Sequence, residues 1–169
     1  MPTVVCRVPH ADVIVGRGVL ALLVALMCWG LFPRAIQAAP PTVLTTVAPL
    51  TNIVKNMGGA TITLHGLVPE GTNSHTFEPP PSAVKYVVAA DLIILNGLDL
   101  ETPIEKLARA QKKPSAQILK LGDRTIAPQD YVFDRSFPKA KGHPNPHLWM
   151  SPLYAVRYAE LGPNPTLKP

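Results

Sequence analysis

A nearly all-apolar run, Asp91-Leu92-Ile93-Ile94-Leu95-Asn96, limits the fold of this chain more than any other feature. It has the length of a β-strand, but it lacks the alternation of apolar and polar residues typical of a strand with one face in water. Strands of this kind are covered by helices on both faces, as in parallel sheets. A helix-like segment, residues 82–90, precedes the run, and another begins at Pro103. The run therefore predicts an α/β fold.

The alternation of strands and helices extends along the chain on both sides of this run. Apolar and β-branched residues predict four strands, near residues 43–47, 61–68, 91–96 and 117–121. Helices should begin at Pro49, Ser82 and Pro103, where apolar residues recur at helical spacing. Short connections in such a series make the sheet parallel. We therefore expect a Rossmann-like lobe with a four-stranded parallel sheet, and ligands at the carboxyl ends of its strands.

The first 39 residues have the organisation of a secretory signal peptide. Arg7 and Arg17 precede an uncharged run of 15 residues, 18–32, and small residues follow it. This run is shorter than the roughly 18 apolar residues that indicate a membrane-spanning helix. We expect cleavage after Ala38 or Ala39 and an exported protein, in the periplasm or at the outer cell surface.

Cys6 and Cys28 are the only cysteines of the chain. Lipidation at Cys28, which would make this residue the N-terminus, is an alternative to cleavage after Ala38 or Ala39, but Met27 before it is a poor match to the small residue that a lipobox requires. Cleavage of the signal peptide removes both cysteines, so the exported domain would have neither disulfides nor thiolate ligands. Histidine, carboxylate and water then remain as ligands for a metal.

Charge and motifs exclude several classes of partner. Removal of residues 1–39 takes away three arginines and one aspartate, so the formal net charge falls from +5 to +3. The remaining charges are scattered, whereas a nucleic-acid surface needs a clustered basic patch. The chain also has no Gly-x-Gly-x-x-Gly, no phosphate loop and no Gly-x-Ser-x-Gly. We expect no nucleic-acid partner and no organic cofactor.

Two histidines, His75 and His147, lie in similar loops rich in proline, glycine and small polar residues. A neutral imidazole presented in such a loop is a natural ligand for a divalent metal. Taken alone, either histidine is more often a surface loop residue than a ligand. Because 72 residues separate the two, only the fold can bring them together.

Three motifs, in order along the chain, resemble those of the metal-specific substrate-binding proteins of bacterial ABC importers. They are Gly71-x-x-Ser74-His75-Thr76-Phe77-Glu78-Pro79, Ala90-Asp91-Leu92-Ile93-Ile94-Leu95-Asn96-Gly97-x-x-Leu100-Glu101 and Asn145-Pro146-His147-Leu148-Trp149. That family takes up zinc or manganese, and some members are also described as surface adhesins. Asn73-Ser74 stands where Asp-Pro is commonest, but the histidine is retained.

The resemblance implies a metal site at His75 and His147, with zinc or manganese as the transported ligand and an importer permease as the partner. In the family, the matching histidines are two of four ligands, and the other two come from a C-terminal lobe across a long helix. Residues 40–150 would then form the N-terminal metal-binding lobe and residues 151–161 the start of that helix. Because the helix breaks at Gly162-Pro163 and an irregular tail, residues 162–169, follows, we expect a truncated monomer that binds metal weakly.

The other two histidines of the exported domain are not expected to be ligands. His65 lies on the polar face of the second strand. His143 is the only histidine in residues 131–145, where zinc-selective members of the family often carry a His- and acid-rich loop. With one histidine, and with Asp130 and Asp134 nearby, this segment differs slightly from the loop of the zinc-selective members. The difference does not decide between zinc and manganese.

Three alternatives to a transport function remain at this point. The chain could be a surface adhesion or interaction module, or the non-functional product of a broken gene. A metalloenzyme would use two histidines and open water positions to polarise a substrate. The sequence offers it neither a third protein ligand nor an obvious general base, so we expect no enzyme.

Overall fold

A computed structural model of the chain describes residues 39–162. The predicted signal peptide up to Ala38, the alternative lipidation site Cys28 and the tail after Gly162 lie outside the described residues and stay predictions. Within residues 39–162, none of the helices combines the length and the apolar character needed to cross a bilayer.

Four strands of residues 39–162 form a single sheet, and every neighbouring pair is parallel. The strands are β1 (Thr42–Thr45), β2 (Thr63–Gly66), β3 (Leu92–Leu95) and β4 (Gln117–Lys120), in the spatial order β2-β1-β3-β4. The predicted α/β lobe with a four-stranded parallel sheet is therefore confirmed. Each strand has four residues and is shorter than the sequence pattern suggested.

In the part of the chain that the structure describes, five α-helices connect and flank the strands. They are α1 (Ala48–Gly58), α2 (Val84–Ala89), α3 (Thr102–Gln111), α4 (Leu121–Thr125) and α5 (Pro152–Leu161). Proline stands in the first turn of α1, α3 and α5, where its missing N–H costs no helical hydrogen bond. The short helix α4 was not predicted, since the region beyond Gly122 looked irregular. Leu121 and Gly122 anchor this helix in the core, and Gly122 N–H donates to the carbonyl of Asn96 at 2.7 Å.

The hydrophobic core lies on both faces of the sheet. Ile93, Ile94 and Leu95 are consecutive in β3, so their side chains point to alternate faces, and all three are fully buried. The prediction that helices cover both faces of this strand is thus confirmed. The loops that carry His75 and His147 follow the carboxyl ends of β2 and β4.

A tight turn follows β3 at that edge. Gly97, Leu98 and Asp99 all have left-handed backbone conformations, with φ of 80°, 52° and 61°. A Cβ atom at position 97 would lie 1.8 Å from Oδ2 of Asp123, so only glycine fits there. The Asp123 carboxylate accepts the N–H of Leu98 at 3.1 Å and so fixes the turn.

Candidate metal site

The two histidines of the predicted site meet at the carboxyl edge of the sheet. His75 follows β2, and His147 lies between β4 and α5. Their Nε2 atoms are 3.1 Å apart, and their ring centroids are 5.1 Å apart. The fold therefore brings together two side chains that are 72 residues apart in the chain, as the sequence motifs predicted.

The separation of the two Nε2 atoms is close to the spacing of two ligands on one ion. With Zn–N bonds of about 2.0–2.1 Å and tetrahedral angles, two ligand nitrogens lie about 3.3 Å apart. A small outward movement of either ring would reach that value. The pair therefore has the geometry of half a four-coordinate metal site.

Each histidine is held by the same local turn. Asn73 Oδ1 accepts the backbone N–H of His75 at 3.0 Å, and Asn145 Oδ1 accepts the backbone N–H of His147 at 2.9 Å. An asparagine that bonds its own backbone two residues on forms an Asx turn. The role of the two asparagines was missed in the sequence, although the shared Asn-x-His spacing was a usable sign of it.

Asn145 also sets the tautomer of His147. Its Oδ1 lies 2.8 Å from Nδ1 of His147, and because an amide oxygen only accepts, Nδ1 carries the proton. Nε2 then presents its lone pair toward His75. The Asn145 amide nitrogen donates to Asp134, whose carboxylate also accepts the N–H groups of Ser136 and Phe137 at 2.7 and 2.9 Å. Partners of this kind orient an imidazole ligand and raise its basicity.

Aromatic rings surround the imidazole pair. The Phe137 ring centroid lies 5.7 Å from that of His75 and 5.5 Å from that of His147. Trp149 approaches His147 edge-on at 5.2 Å. Burial lowers the pKa of His147, the charge of a protonated His75 lowers it further, and Asp134 partly opposes both effects. The neutral form of His147, which a metal needs, is therefore favoured near pH 7.

The other histidines do not join the pair. Nδ1 of His143 lies 3.0 Å from Oδ2 of Asp99, and both side chains are exposed by more than half. One cavity of about 400 Å³ is lined by His143, Asp99 and His75. His65 packs instead against Tyr86, with ring centroids 4.9 Å apart. Among residues 39–162, no three His, Cys, Asp or Glu side chains are grouped so that they could hold one ion.

A buried hydrogen-bond network supports the His147 loop from below. Asn96, at the end of β3, is fully buried, and its Nδ2 donates to the carbonyl of Pro146 at 3.0 Å. The hydroxyl of Tyr158 on α5 donates to Asn96 Oδ1 at 2.7 Å. Burial, with nearby negative charge from Glu101 and Asp123, raises the pKa of Tyr158, so its hydroxyl stays a donor. The network ties α5 to the residue that precedes His147.

The Glu101 carboxylate joins the ends of β1 and β3 at the same edge. Oε1 accepts the Thr46 hydroxyl and the Asn96 N–H, each at 2.6 Å, and Oε2 accepts the Gly97 N–H at 3.1 Å. Burial raises the pKa of Glu101, while these hydrogen bonds act against that shift. Glu101 was recognised only as part of a motif, and the structure shows it to be a support beneath the site.

Comparison with known proteins identifies the family of this chain. The sequence model of a family described as ZnuA, zinc-uptake complex component A, periplasmic, matches residues 43–161. The chain belongs to this family. The match spans all four strands of the sheet but Thr42, and all five α-helices. It covers both histidine loops as well, so the resemblance stated from the motifs is confirmed.

Relatives of the ZnuA-family chain include two streptococcal proteins. The chain is 33% identical over 151 residues to the metal ABC transporter substrate-binding lipoprotein SloC of Streptococcus mutans, which covers 83% of this chain and 47% of that protein. It is also 33% identical over 153 residues to the manganese ABC transporter substrate-binding lipoprotein PsaA of Streptococcus pneumoniae, covering 84% of this chain and 47% of PsaA. The chain thus spans about half the length of these relatives.

Solved structures show the same architecture. A cadmium-bound periplasmic metal binding protein from Candidatus Liberibacter asiaticus superimposes with a TM-score of 0.61 at 27% identity, over 72% of this chain and 42% of that one. The periplasmic zinc binding protein TroA from Treponema pallidum gives a TM-score of 0.62 at 24% identity, again over 72% and 42%, and supports the fold alone. In both cases the match corresponds to less than half of a longer protein.

Proposed function

We propose that this protein captures a divalent transition metal, zinc or manganese, outside the cytoplasm and delivers it to an ABC importer. His75 and His147 are the proposed ligands, and the metal is cargo. The observation that carries the proposal is the 3.1 Å approach of the two Nε2 atoms. Membership of the ZnuA family supports it independently.

The arrangement around His147 suits reversible capture. Its tautomer is fixed by Asn145, and its lowered pKa keeps the ring neutral, so a metal need not displace a proton from it. Two imidazoles suit zinc, and they are compatible with manganese when oxygen ligands complete the coordination sphere.

A second lobe and an importer permease complete the proposed transport system. Residues 40–150 would form the N-terminal metal-binding lobe, and residues 151–161 would begin the helix to a second lobe. The membrane permease of an ABC importer is the proposed partner, supported by the transporter names of the relatives. The chain is proposed to be a monomer.

The relatives also bear on the alternatives. They are substrate-binding proteins of metal transporters and not enzymes, which favours transport over both an adhesion module and a metalloenzyme. We propose accordingly that the chain has no catalytic activity of its own. The Glu78 carboxylate, the nearest acid to His75 in sequence, belongs to no metal-binding group within the described part of the chain.

Calorimetric titration with zinc and with manganese tests the ligand assignment. Binding by the chain should disappear in the double variant His75→Ala, His147→Ala. The variants His65→Ala and His143→Ala are matched controls, because each removes one imidazole and leaves the proposed pair intact, and both should bind like the unaltered chain. Metal binding that survives the double change would show that the site lies elsewhere.

A further inference from the structure

We propose that Phe137 is a positioning residue of the metal site, whose ring holds the imidazole of His75 in the orientation that metal binding needs. The proposal rests on metal binding at His75 and His147, and it adds a side chain that does not itself bind the metal. The two imidazoles are held in different ways, and this difference carries the inference.

His147 has a protein hydrogen-bond partner that fixes its ring, whereas His75 has none. Oδ1 of Asn145 lies 2.8 Å from Nδ1 of His147. The corresponding residue before His75, Asn73, accepts only the backbone N–H of His75, at 3.0 Å. Among residues 39–162, no protein group forms a hydrogen bond with Nδ1 of His75. Because an outer partner normally orients a metal-binding imidazole, the His75 ring needs support of another kind.

The contact between the two imidazoles cannot supply this support once metal binds. Their Nε2 atoms are 3.1 Å apart, and Nδ1 of His147 carries the proton of that ring, so Nε2 of His75 donates and Nε2 of His147 accepts. A metal binds to the same two nitrogen atoms and therefore replaces this hydrogen bond. A contact that orients His75 in both states must lie elsewhere on its ring.

The ring of Phe137 makes such a contact. Its centroid lies 5.7 Å from that of His75, with 31° between the ring planes, and 5.5 Å from that of His147. Aromatic pairs that attract each other have centroid separations of about 4.5–7 Å. Packing against Phe137 restricts the rotation of the His75 ring, so metal binding has less conformational entropy to remove.

Phe137 is itself fixed by a tight turn. Its N–H donates to Oδ1 of Asp134 at 2.9 Å, and its carbonyl accepts the N–H of Asp134 at 3.0 Å. The Asp134 carboxylate also accepts the side-chain amide of Asn145, which holds His147. One aspartate therefore joins the supports of both ligands, an aromatic ring for His75 and an amide for His147.

Calorimetric titration of Phe137→Ala with ZnCl₂ tests the proposal. The dissociation constant should rise about tenfold, the lower end of what loss of an outer partner costs a metal site. Phe137→Tyr keeps the ring and should bind zinc like the unaltered chain. Phe133→Ala is the matched control and should also bind normally. Phe133 is a half-buried phenylalanine of the same segment, and in the part of the chain that the structure describes it makes no ring contact with either histidine.

NMR of the metal-free variants separates positioning of His75 from a general loss of structure. In Phe137→Ala the three-bond couplings about χ1 of His75 should become averaged over rotamers, because the ring has lost its support. His147 should keep its own couplings and its Nδ1 proton, since Asn145 is unchanged. In Phe137→Tyr both histidines should give the couplings of the unaltered chain.

Three results would overturn the role of Phe137 and leave the proposed metal site standing. They are an unchanged zinc affinity of Phe137→Ala, an equal loss of affinity in Phe133→Ala, and a Phe137→Tyr variant that binds no better than Phe137→Ala. Averaged couplings of His147 together with those of His75 would show that the whole loop has moved, and would also overturn it. An unaltered chain that binds no zinc would overturn both this proposal and the proposed function.

Discussion

The hydroxyl of Tyr158 donates a 2.7 Å hydrogen bond to Oδ1 of Asn96, deep beneath the metal-site loops. The same amide donates from Nδ2 to the carbonyl of Pro146, the residue before His147. Tyr158 on α5 thus orients the Asn96 amide, and this amide in turn holds the backbone of the His147 loop. The position of His147 depends on helix α5 through this one buried group.

Tyr158→Phe should therefore lower both stability and metal affinity. It removes the donor from a buried amide oxygen, and an unsatisfied buried acceptor costs about 1–3 kcal/mol. Urea unfolding measures the first effect and zinc titration the second. Tyr154→Phe, on the same helix but half-buried, is the matched control and should change neither. Equal stability of the two variants would show that the Asn96 amide does not need this donor.

Asn145→Ala should weaken metal binding more than Asn73→Ala. Both changes remove an Asx turn, but only Asn145 also holds Nδ1 of a ligand. Loss of such an outer partner typically costs 10–100-fold in metal affinity. Calorimetric titration of the two variants, with circular dichroism to show that each is folded, measures the difference. Equal losses would mean that the turn, and not the imidazole contact, is what matters.

Metal affinity should decrease when the pH falls low enough to protonate the two histidines. Histidine binds a metal only when neutral, and its ordinary pKa is about 6.5. The pKa of His147 lies below its ordinary value, chiefly because of burial, so this ligand stays available as the pH falls toward 6.5. Affinity should hold from pH 8 to about 6.5 and decline below that range. Zinc titrations at a series of pH values check this, and constant affinity down to pH 5 would point to carboxylate ligands.

Asp91→Asn should remove a pH-dependent part of the stability without affecting the site. The hydrogen bond from Lys113, at 2.6 Å, and that from the Thr42 N–H, at 2.7 Å, hold the pKa of Asp91 below its ordinary 3.8. The ionised carboxylate therefore stabilises the fold above that value, and the contribution is lost as the pH falls below it. For so exposed a pair the loss should be about 1 kcal/mol or less.

Unfolding by urea at pH 7 and at pH 3 measures this contribution. At pH 7 the free energy of unfolding should be larger for the unaltered chain than for Asp91→Asn. This difference should become smaller at pH 3. Zinc affinity at pH 7 should be the same for both, because Asp91 lies at the amino end of β3, away from the histidine loops. A difference in stability that increases at pH 3 would contradict a lowered pKa of Asp91.

The sheet was predictable because its evidence is local. The apolar run from Leu92 to Leu95 identifies a strand covered on both faces, and proline marks the first turn of three helices. The pairing of His75 with His147 was predictable from the motifs around them. The supports of the site were not, because the contacts of Asn96 with Pro146 and Tyr158 span 50 and 62 residues. Helix α4 was not predicted because burial of Leu121, and not the helical propensity of its residues, determines where it forms.

The strand order β2-β1-β3-β4 puts β2 and β4 at opposite edges of the sheet. His75 enters the site from the loop after one edge strand, and His147 from the segment after the other. In an unfolded chain these imidazoles are the ends of a long flexible segment, and bringing them together would cost conformational entropy. In the folded lobe the sheet already holds the two ends close, so metal binding does not carry this cost. Metal capture therefore reports on the integrity of the whole lobe. A substitution that only unpairs an edge strand would abolish binding while leaving both ligands chemically intact.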